Sequence, residues 1–200
     1  LEHHSDSIES YFIHTPGIKV VVPSTPYDAK GLLISAIRDA DPVIFFEPKK
    51  IYRAIKEEVP EGDYTVPIGK AKVRKEGKDV TLLSYGSMVK TSLEAVEHVT
   101  NTSVEVIDLR SLFPLDIDTI VTSVKKTGKV VIVHEAPRTL GFGAELIARI
   151  NEKAFFSLQA PIERVTGFDI VVPLPRNEDK YLVCQQRIIN AIERVVKNAK

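Results

Sequence analysis

The side chains best suited to proton transfer in this chain are its histidines, and two of the five stand side by side near its start. An imidazole titrates near neutral pH, so it can give or take a proton under ordinary conditions. A histidine close to a chain end is usually a surface residue. His3 and His4 are adjacent and cannot share a helix face, so they have no metal-binding spacing. Residue type alone therefore gives them no role, and His14 is more typical of a structural residue.

A second candidate is the polar turn Asp39-Ala40-Asp41, which ends a predicted helix. The last carbonyl groups of a helix lack intrahelical partners and lie at the negative end of the helix dipole. Backbone carbonyl oxygens of this kind can bind potassium. Chemistry alone favours a plain turn over a cation site at these residues.

Glycine-rich loops give two further candidates for ligand binding. Gly86-Ser87 stands where a predicted strand meets a helix, and a helix N-terminus can hold phosphate. No dinucleotide fingerprint or P-loop accompanies it, so a tight turn is favoured. Residues 134–146 follow another strand, at the carboxyl edge where α/β proteins tend to place ligands, although a connecting loop is favoured. Arginines that could bind acidic groups are Arg138, Arg164 and Arg176, for which a solvated surface position is the default.

The elements that would position these residues begin with a βαβ unit in residues 16–53. Ile18–Val22 is a β-branched run typical of a buried parallel strand. Thr25 is suited to cap the following helix and Pro26 to its first turn, while Asp28 complements the helix dipole. The helix ends before Pro42, since the residue before a proline avoids the helical region. A second strand then starts at Val43.

A second α/β domain is predicted after a polar, proline-punctuated linker. Its predicted strands cover residues 80–85, 104–109, 130–133 and 162–165, with helices between them and a C-terminal helix after Cys184. Alternating strands and helices imply a three-layer α/β domain with a mostly parallel sheet. We therefore divide the chain into the tail of one α/β domain (1–48), a linker (49–68) and a second α/β domain (69–200).

Composition narrows the class of protein. Lysine plus arginine equals aspartate plus glutamate at 27 each, and no basic stripe is present, so no nucleic-acid partner is expected. No apolar run reaches the roughly 20 residues that span a bilayer, so no membrane partner is expected. A single cysteine, Cys184, excludes an intrachain disulfide and fits a reducing cytoplasm. The only methionine is Met88, so we expect a fragment or a processed product.

The sequence of residues 16–53 resembles that of the beta subunits of thiamine-diphosphate-dependent 2-oxo-acid dehydrogenases, the family of pyruvate and branched-chain keto-acid dehydrogenases. The upstream stretch His4-Ser5-Asp6-Ser7 is similar to the family's His-Ser-Gln-Ser, with Asp6 in place of the usual glutamine. Tyr11-Phe12 and the strand that starts at Pro16 follow as they do in the family. The resemblance extends over the whole chain, including residues 134–146.

The resemblance implies a transketolase-like C-terminal domain preceded by the rear of a pyrimidine-binding domain. It implies that His4 is the active-site histidine, with His3 as the competing candidate, and that this histidine stabilises or protonates intermediates near the cofactor. It also implies a structural potassium ion bound by backbone carbonyls at Ala36, Asp39 and Asp41.

The reaction implied by the resemblance is decarboxylation of a 2-oxo acid on thiamine diphosphate, followed by acyl transfer to a lipoyl arm. The implied partners are an alpha subunit that binds the cofactor diphosphate through magnesium, a second beta subunit, and a lipoyl acyltransferase component.

One departure from the family pattern is serious. The family's pyrimidine-binding domain begins well before the position of His4, and the glutamate that activates the aminopyrimidine lies in that front part. We therefore expect the chain alone to be inactive. Two alternatives stay open: an assembly module without catalysis, and a fragment of a transketolase-type enzyme.

Overall fold

The computed structural model describes residues 6–199, and its helices and strands alternate along most of the chain. The helices are α1 (Glu9–Ile13), α2 (Pro26–Arg38), α3 (Ser87–Glu97), α4 (Ile117–Thr127), α5 (Phe142–Ala154), α6 (Pro175–Tyr181) and α7 (Gln185–Lys197). The strands are β1 (Lys19–Val21), β2 (Val43–Phe45), β3 (Lys72–Lys75), β4 (Val80–Ser84), β5 (Val104–Asp108), β6 (Ser111–Phe113), β7 (Val130–Val133) and β8 (Glu163–Val165). Single 3₁₀ turns cover Lys49–Ile51 and Phe155–Ser157.

The larger sheet has the strand order β3-β5-β4-β7-β8. Strands β5, β4, β7 and β8 run parallel, and β3 is an antiparallel strand at the edge. Side chains alternate between the two faces of a strand, so Leu82 packs in one hydrophobic cluster and Leu83 in the other. Helices α3 and α7 cover the Leu82 face, and α4 and α5 cover the Leu83 face. The predicted three-layer, mostly parallel α/β fold is confirmed.

The smaller sheet has the order β2-β1-β6 and joins the two parts of the chain. Strands β1 and β2 are parallel and α2 connects them, as the sequence predicted. Strand β6 comes from the second part and pairs antiparallel with β1, with Val20 opposite Phe113. Val20 and Val21 are fully buried between these neighbours. The front segment thus completes its sheet with a strand from beyond the connecting segment.

The segment that connects the two parts lies along α2. The backbone N–H of Val66 donates to the Gly31 carbonyl at 3.1 Å, and the hydroxyl of Ser35 donates to the Val66 carbonyl at 2.6 Å. The rings of Tyr27 and Tyr64 stack with their centroids 4.6 Å apart. A side chain at position 31 would collide with Val66, whose Cγ2 lies 2.5 Å from an ideal Cβ. This close approach explains the glycine inside α2.

A buried ionic network ties the front segment to the second part. Asp28, at the start of α2, bonds Arg110 at 3.0 Å and also bonds Arg74 of β3. Arg74 contacts Asp108 at the end of β5 at 2.8 Å, and Ser24 donates to the same carboxylate. Two carboxylates and two guanidinium groups balance in charge, which is the condition for burying them. Asp28 therefore does more than complement a helix dipole.

Candidate functional site: the clefts beside helix α1

The carboxyl ends of β4 and β7 open into a cleft between the two parts of the chain. The cavity there has a volume of about 640 Å³. Its walls include Ser7 and Glu9 from the start of the described chain, Tyr85 and Ser87 from the end of β4, and Glu135 from the end of β7. α/β proteins tend to place ligands at this edge of a sheet, although the sequence favoured a connecting loop and a tight turn here.

A larger cavity of about 1110 Å³ lies beside the same helix. Helix α1 supplies Tyr11 to its wall, the cap residues of α1 supply Ile8 and His14, and the loop before α5 supplies Leu140. Ser7 and Ile8 line both cavities, so α1 and the residues just before it form part of the wall of each. A ligand in either cavity would therefore lie beside α1 or the residues just before it.

Glu9 and Tyr85 form a buried pair at the cleft. The phenol of Tyr85 donates to Oε1 of Glu9 at 2.5 Å, and both side chains are almost completely buried. Burial raises the pKa of Glu9, against the opposing effect of the Tyr85 hydrogen bond. Burial also raises the pKa of Tyr85 well above its ordinary value, and the nearby Glu9 carboxylate adds to the effect. Both shifts favour the protonated forms.

Ser87 and Glu135 form a second polar contact, where α3 begins. The hydroxyl of Ser87 donates to the carboxylate of Glu135, and the ammonium of Lys50 lies 3.9 Å from the same carboxylate. Gly86 precedes the helix with φ +57°, a conformation that glycine adopts readily. The hydroxyl at this helix start is thus already engaged with a carboxylate, which argues against the phosphate alternative at Gly86-Ser87.

The glycines of the 134–146 loop make room for a buried histidine. His134 is completely buried, and its Nε2 accepts the backbone N–H of Gly143 at 3.3 Å. A Cβ at Gly143 would lie 2.7 Å from Nε2, and one at Gly141 would lie 2.7 Å from Cε1. Burial lowers the pKa of His134 to about 4, so the ring is neutral at neutral pH. The glycine pattern is explained by packing against imidazole.

The predicted active-site histidine, His4, lies outside the described residues 6–199, as does His3. Asp6 and Ser7, which follow directly, line the smaller cleft. His14 stands at the C-cap of α1 and lines the larger cavity. The structure thus describes the chain from the second residue after His4.

The predicted potassium turn contains an ion-paired cluster. The ammonium of Lys19 bonds Asp39 at 2.7 Å and Asp41 at 3.1 Å. The hydrogen bond from Lys19 lowers the pKa of Asp39. The Ala36 carbonyl accepts the Asp39 N–H at 3.4 Å, a long contact. The side chains at this turn are therefore paired with Lys19, and only its carbonyl oxygens stay available for an added cation.

The other candidates have structural or surface positions. Arg138 and Arg164 donate to each other's backbone carbonyl groups at 3.2 and 3.1 Å. Arg176 is exposed in α6. Cys184 is exposed at the N-cap of α7. None of these four residues is among those that line the two cavities.

Sequence reasoning missed the Glu9–Tyr85 pair and the ionic network. Glu9 and Tyr85 are 76 positions apart in the chain, and Arg74 and Asp108 are 34 positions apart. No local sequence pattern connects residues at such separations. A signal did exist for Asp28, Arg74, Asp108 and Arg110, because charged residues beside buried strands need partners of opposite sign. The glutamate at position 9 gives no such signal, because an amphipathic first turn often carries an acid.

The described residues do not by themselves fit thiamine diphosphate with magnesium. Glu9 is the buried carboxyl among the cleft residues, and Tyr85 already bonds it. Between residues 6 and 199, no group of three histidine, cysteine, aspartate or glutamate side chains is placed to hold a metal ion. Over the same residues, no helix is long and apolar enough to cross a membrane.

Comparison with protein families identifies the class. The model of the transketolase C-terminal domain matches residues 69–188, and the model of the transketolase pyrimidine-binding domain matches residues 1–55. The chain therefore belongs to the transketolase family, with parts of both domains. A solved structure, titled as a split-gene transketolase in an inactive beta4 tetramer, superposes with a TM-score of 0.79 at 25% identity, over 96% of this chain and 61% of that one.

Within that class, the relatives of high identity are beta subunits of 2-oxo-acid dehydrogenases. The chain is 57% identical over 175 residues to 2-oxoisovalerate dehydrogenase subunit beta, mitochondrial, of Dictyostelium discoideum, covering 86% of this chain and 47% of that protein. It is 54% identical over 199 residues to pyruvate dehydrogenase E1 component subunit beta of Acholeplasma laidlawii, covering 98% of this chain and 61% of that protein. The predicted resemblance is confirmed. The chain spans about half to three-fifths of these relatives.

Proposed function

We propose that this chain is the rear portion of the beta subunit of a 2-oxo-acid dehydrogenase. The assembled enzyme decarboxylates a 2-oxo acid with thiamine diphosphate and transfers the acyl group to a lipoyl arm. The observation that carries this proposal is the 54% identity to a pyruvate dehydrogenase beta subunit across 98% of the chain. The aligned region includes residues of both domains. The cleft that the two parts form beside α1 also supports the proposal.

In this proposal the cofactor is thiamine diphosphate with magnesium, bound mainly by the missing front part and by the alpha subunit. The thiamine ring supplies an electron sink for the carbanion left by decarboxylation. The part described here contributes walls of the cleft and the segment that leads into α1.

We assign His4 the role of general acid–base group in the assembled site. Imidazole suits this role because it titrates near neutrality. Support comes from the chain that follows it, since Ser7 and Ile8 line both cavities.

The potassium site at Ala36, Asp39 and Asp41 is a separate proposal. The carbonyl groups would bind the ion while Lys19 holds the two carboxylates away from it. A ligand that binds only the native state raises the melting temperature. We expect a higher melting temperature in potassium than in sodium at equal ionic strength. Equal melting in the two salts would mean a plain turn.

The proposed partners are an alpha subunit, a second beta subunit and a lipoyl acyltransferase component, with the cytoplasm as compartment. We propose that 1–48, 49–68 and 69–200 act as domain tail, connecting segment and C-terminal domain.

A second function, assembly without catalysis, is favoured by one observation: the similar split-gene transketolase is titled an inactive beta4 tetramer.

Calorimetric titration of thiamine diphosphate separates these functions. The titration compares this chain alone with the full-length beta subunit mixed with its alpha partner, followed by assays of carbon dioxide release from pyruvate and from branched-chain 2-oxo acids. We expect tight binding and turnover only in the full-length complex. Tight binding by the chain alone, or a full-length complex without turnover, would contradict the proposal, and the second result would favour assembly only.

A further inference from the structure

Burying the carboxyl group of Glu9 at this position costs free energy. Its carboxyl is almost fully buried, and the contact that satisfies it is the neutral phenol of Tyr85. No ion pair to Glu9 occurs among the described residues, and Glu135, a charge of the same sign, acts to raise its pKa further. A buried carboxylate without a cation is costly unless it is well hydrogen-bonded. Burial of Glu9 under those conditions therefore indicates a specific role for its side chain.

Helix α1 is attached to the rest of the molecule by apolar packing of Phe12 and Ile13 and by the polar side chain of Glu9. It is five residues long, and no side chain caps its N-terminus. On one side, Phe12 packs edge to face against Phe46, which follows β2, with ring centroids 5.6 Å apart. On the other side, the Glu9–Tyr85 hydrogen bond connects the helix to the end of β4. The pair is thus the polar link between α1 and the larger sheet.

Tyr85 is itself held firmly. Its ring stacks near His134, with centroids 6.2 Å apart at an interplanar angle of 18°, and meets Phe142 edge to face at 6.3 Å. Because these rings belong to β7's end and to α5, Tyr85 has little freedom to move. A hydrogen bond to so rigid a donor fixes its acceptor, and Glu9 is in the first turn of α1.

We propose that Glu9 and Tyr85 are positioning residues, whose hydrogen bond holds α1 at the carboxyl edge of the larger sheet and so orients the catalytic segment that enters it. This inference rests on the proposed function of His4, which precedes α1 in the chain. Glu9 and Tyr85 touch neither substrate nor cofactor in this account. They act through α1, whose residues line both cavities.

The test uses the full-length beta subunit assembled with its alpha partner. Tyr85→Phe removes the donor and keeps the ring, Glu9→Leu removes the acceptor, and Glu9→Gln keeps an acceptor at the same place. Tyr52→Phe is the matched control, because it removes a Tyr–Glu hydrogen bond from the exposed surface. Hydrogen exchange of the α1 amides is measured with α7 as internal reference. The kcat and KM for acyl transfer are measured on the same complexes.

We expect Tyr85→Phe and Glu9→Leu to speed exchange in α1 but not in α7, and to lower kcat about 10- to 100-fold with KM nearly unchanged, since small misplacements have effects of this order. Glu9→Gln should restore most of kcat, and Tyr52→Phe should match the wild type. Unchanged exchange in α1 would overturn the link, and wild-type kcat despite faster exchange would overturn the positioning role. An inactive wild-type complex would contradict the proposed function, while the exchange data would still decide on the link.

Discussion

Two titratable residues, Glu9 and His134, lie buried within reach of Tyr85, and their pKa values move in opposite directions. Burial raises the pKa of the acid and lowers the pKa of the base. The cause is the same, because a low-dielectric surrounding disfavours the charged form of either group. Both shifts thus favour the neutral form of the side chain in the wall between the two parts of the chain.

His134 should make the fold sensitive to acid. The unfolded chain binds the imidazole proton near pH 6.5 and the native state binds it only near pH 4, so the native state loses stability as the pH falls through that window. The full loss is about 3 kcal/mol. Urea unfolding as a function of pH measures it. His134→Gln should flatten the slope, whereas His98→Gln, at an exposed position, should keep it. Equal slopes in all three proteins would contradict this account.

Glu9 should have the opposite dependence on pH. Its pKa is raised above 4.5 in the native state, so stability is fully present below that pH and is lost as the pH rises through the raised value. Glu9→Gln removes the ionisation, and its advantage in free energy of unfolding over the wild type should grow from mildly acidic to mildly alkaline pH. A difference that does not change with pH would show that Glu9 ionises freely.

Local chemistry predicted single residues well where the contact is local. Thr25 caps α2 by accepting the Asp28 N–H at 3.2 Å, and Pro26 is the first helical residue. Glu9, in contrast, acquires its role from a tyrosine 76 positions away. Its partner could not be predicted from the neighbouring sequence.

At the scale of elements, the buried ionic network decides how the front segment attaches. It connects the start of α2 to β3 and to the turn after β5. Arg110 takes up φ +56° there, and its guanidinium also donates to the Lys70 carbonyl at 3.0 Å. A backbone conformation that is uncommon for arginine is thus held by the contacts of its own side chain.

Asp28→Asn should lower the free energy of unfolding by about 3–5 kcal/mol, because it removes the charge partner of Arg110 and one of the two carboxylates that pair with Arg74. Arg38→Met is the control. Its ion pair with Asp63 is exposed on both sides, and exposed pairs contribute about 0–1 kcal/mol. Chemical denaturation measures both. Similar small losses for the two variants would mean that water reaches the network and relieves the missing charge.

The strands that are buried along their whole length were the predictable elements. β4, β5 and β7 are found within one residue of their predicted bounds, since buried parallel strands are rich in β-branched and other apolar residues. Strands β3 and β6 and helices α1 and α6 were not predicted. β3 is a charged edge strand and β6 has three residues, so neither carries a periodic pattern. Tertiary pairing with β5 and β1 creates them.

For the whole molecule, the two parts share a sheet, an ionic network and the wall formed by α1. Residues 1–48 contribute the strands β1 and β2 to the smaller sheet. The structure shows that β6 supplies the missing neighbour. Large apolar side chains still reach solvent at Ile37, Leu140 and Val171, which are 75%, 85% and 87% exposed. Apolar side chains exposed singly in this way are common on the surfaces of folded proteins.

The central claim is that the chain carries the catalytic histidine of a 2-oxo-acid dehydrogenase beta subunit, and one comparison tests it most directly. His4→Ala, His3→Ala and His98→Ala are made in the full-length beta subunit, assembled with the alpha partner, and assayed for lipoyl acylation. We predict a fall of about 10²–10⁴-fold for His4→Ala alone, the usual contribution of a general acid–base group, with unchanged assembly. Wild-type turnover in His4→Ala, or a loss of this size in His3→Ala instead, would contradict the account.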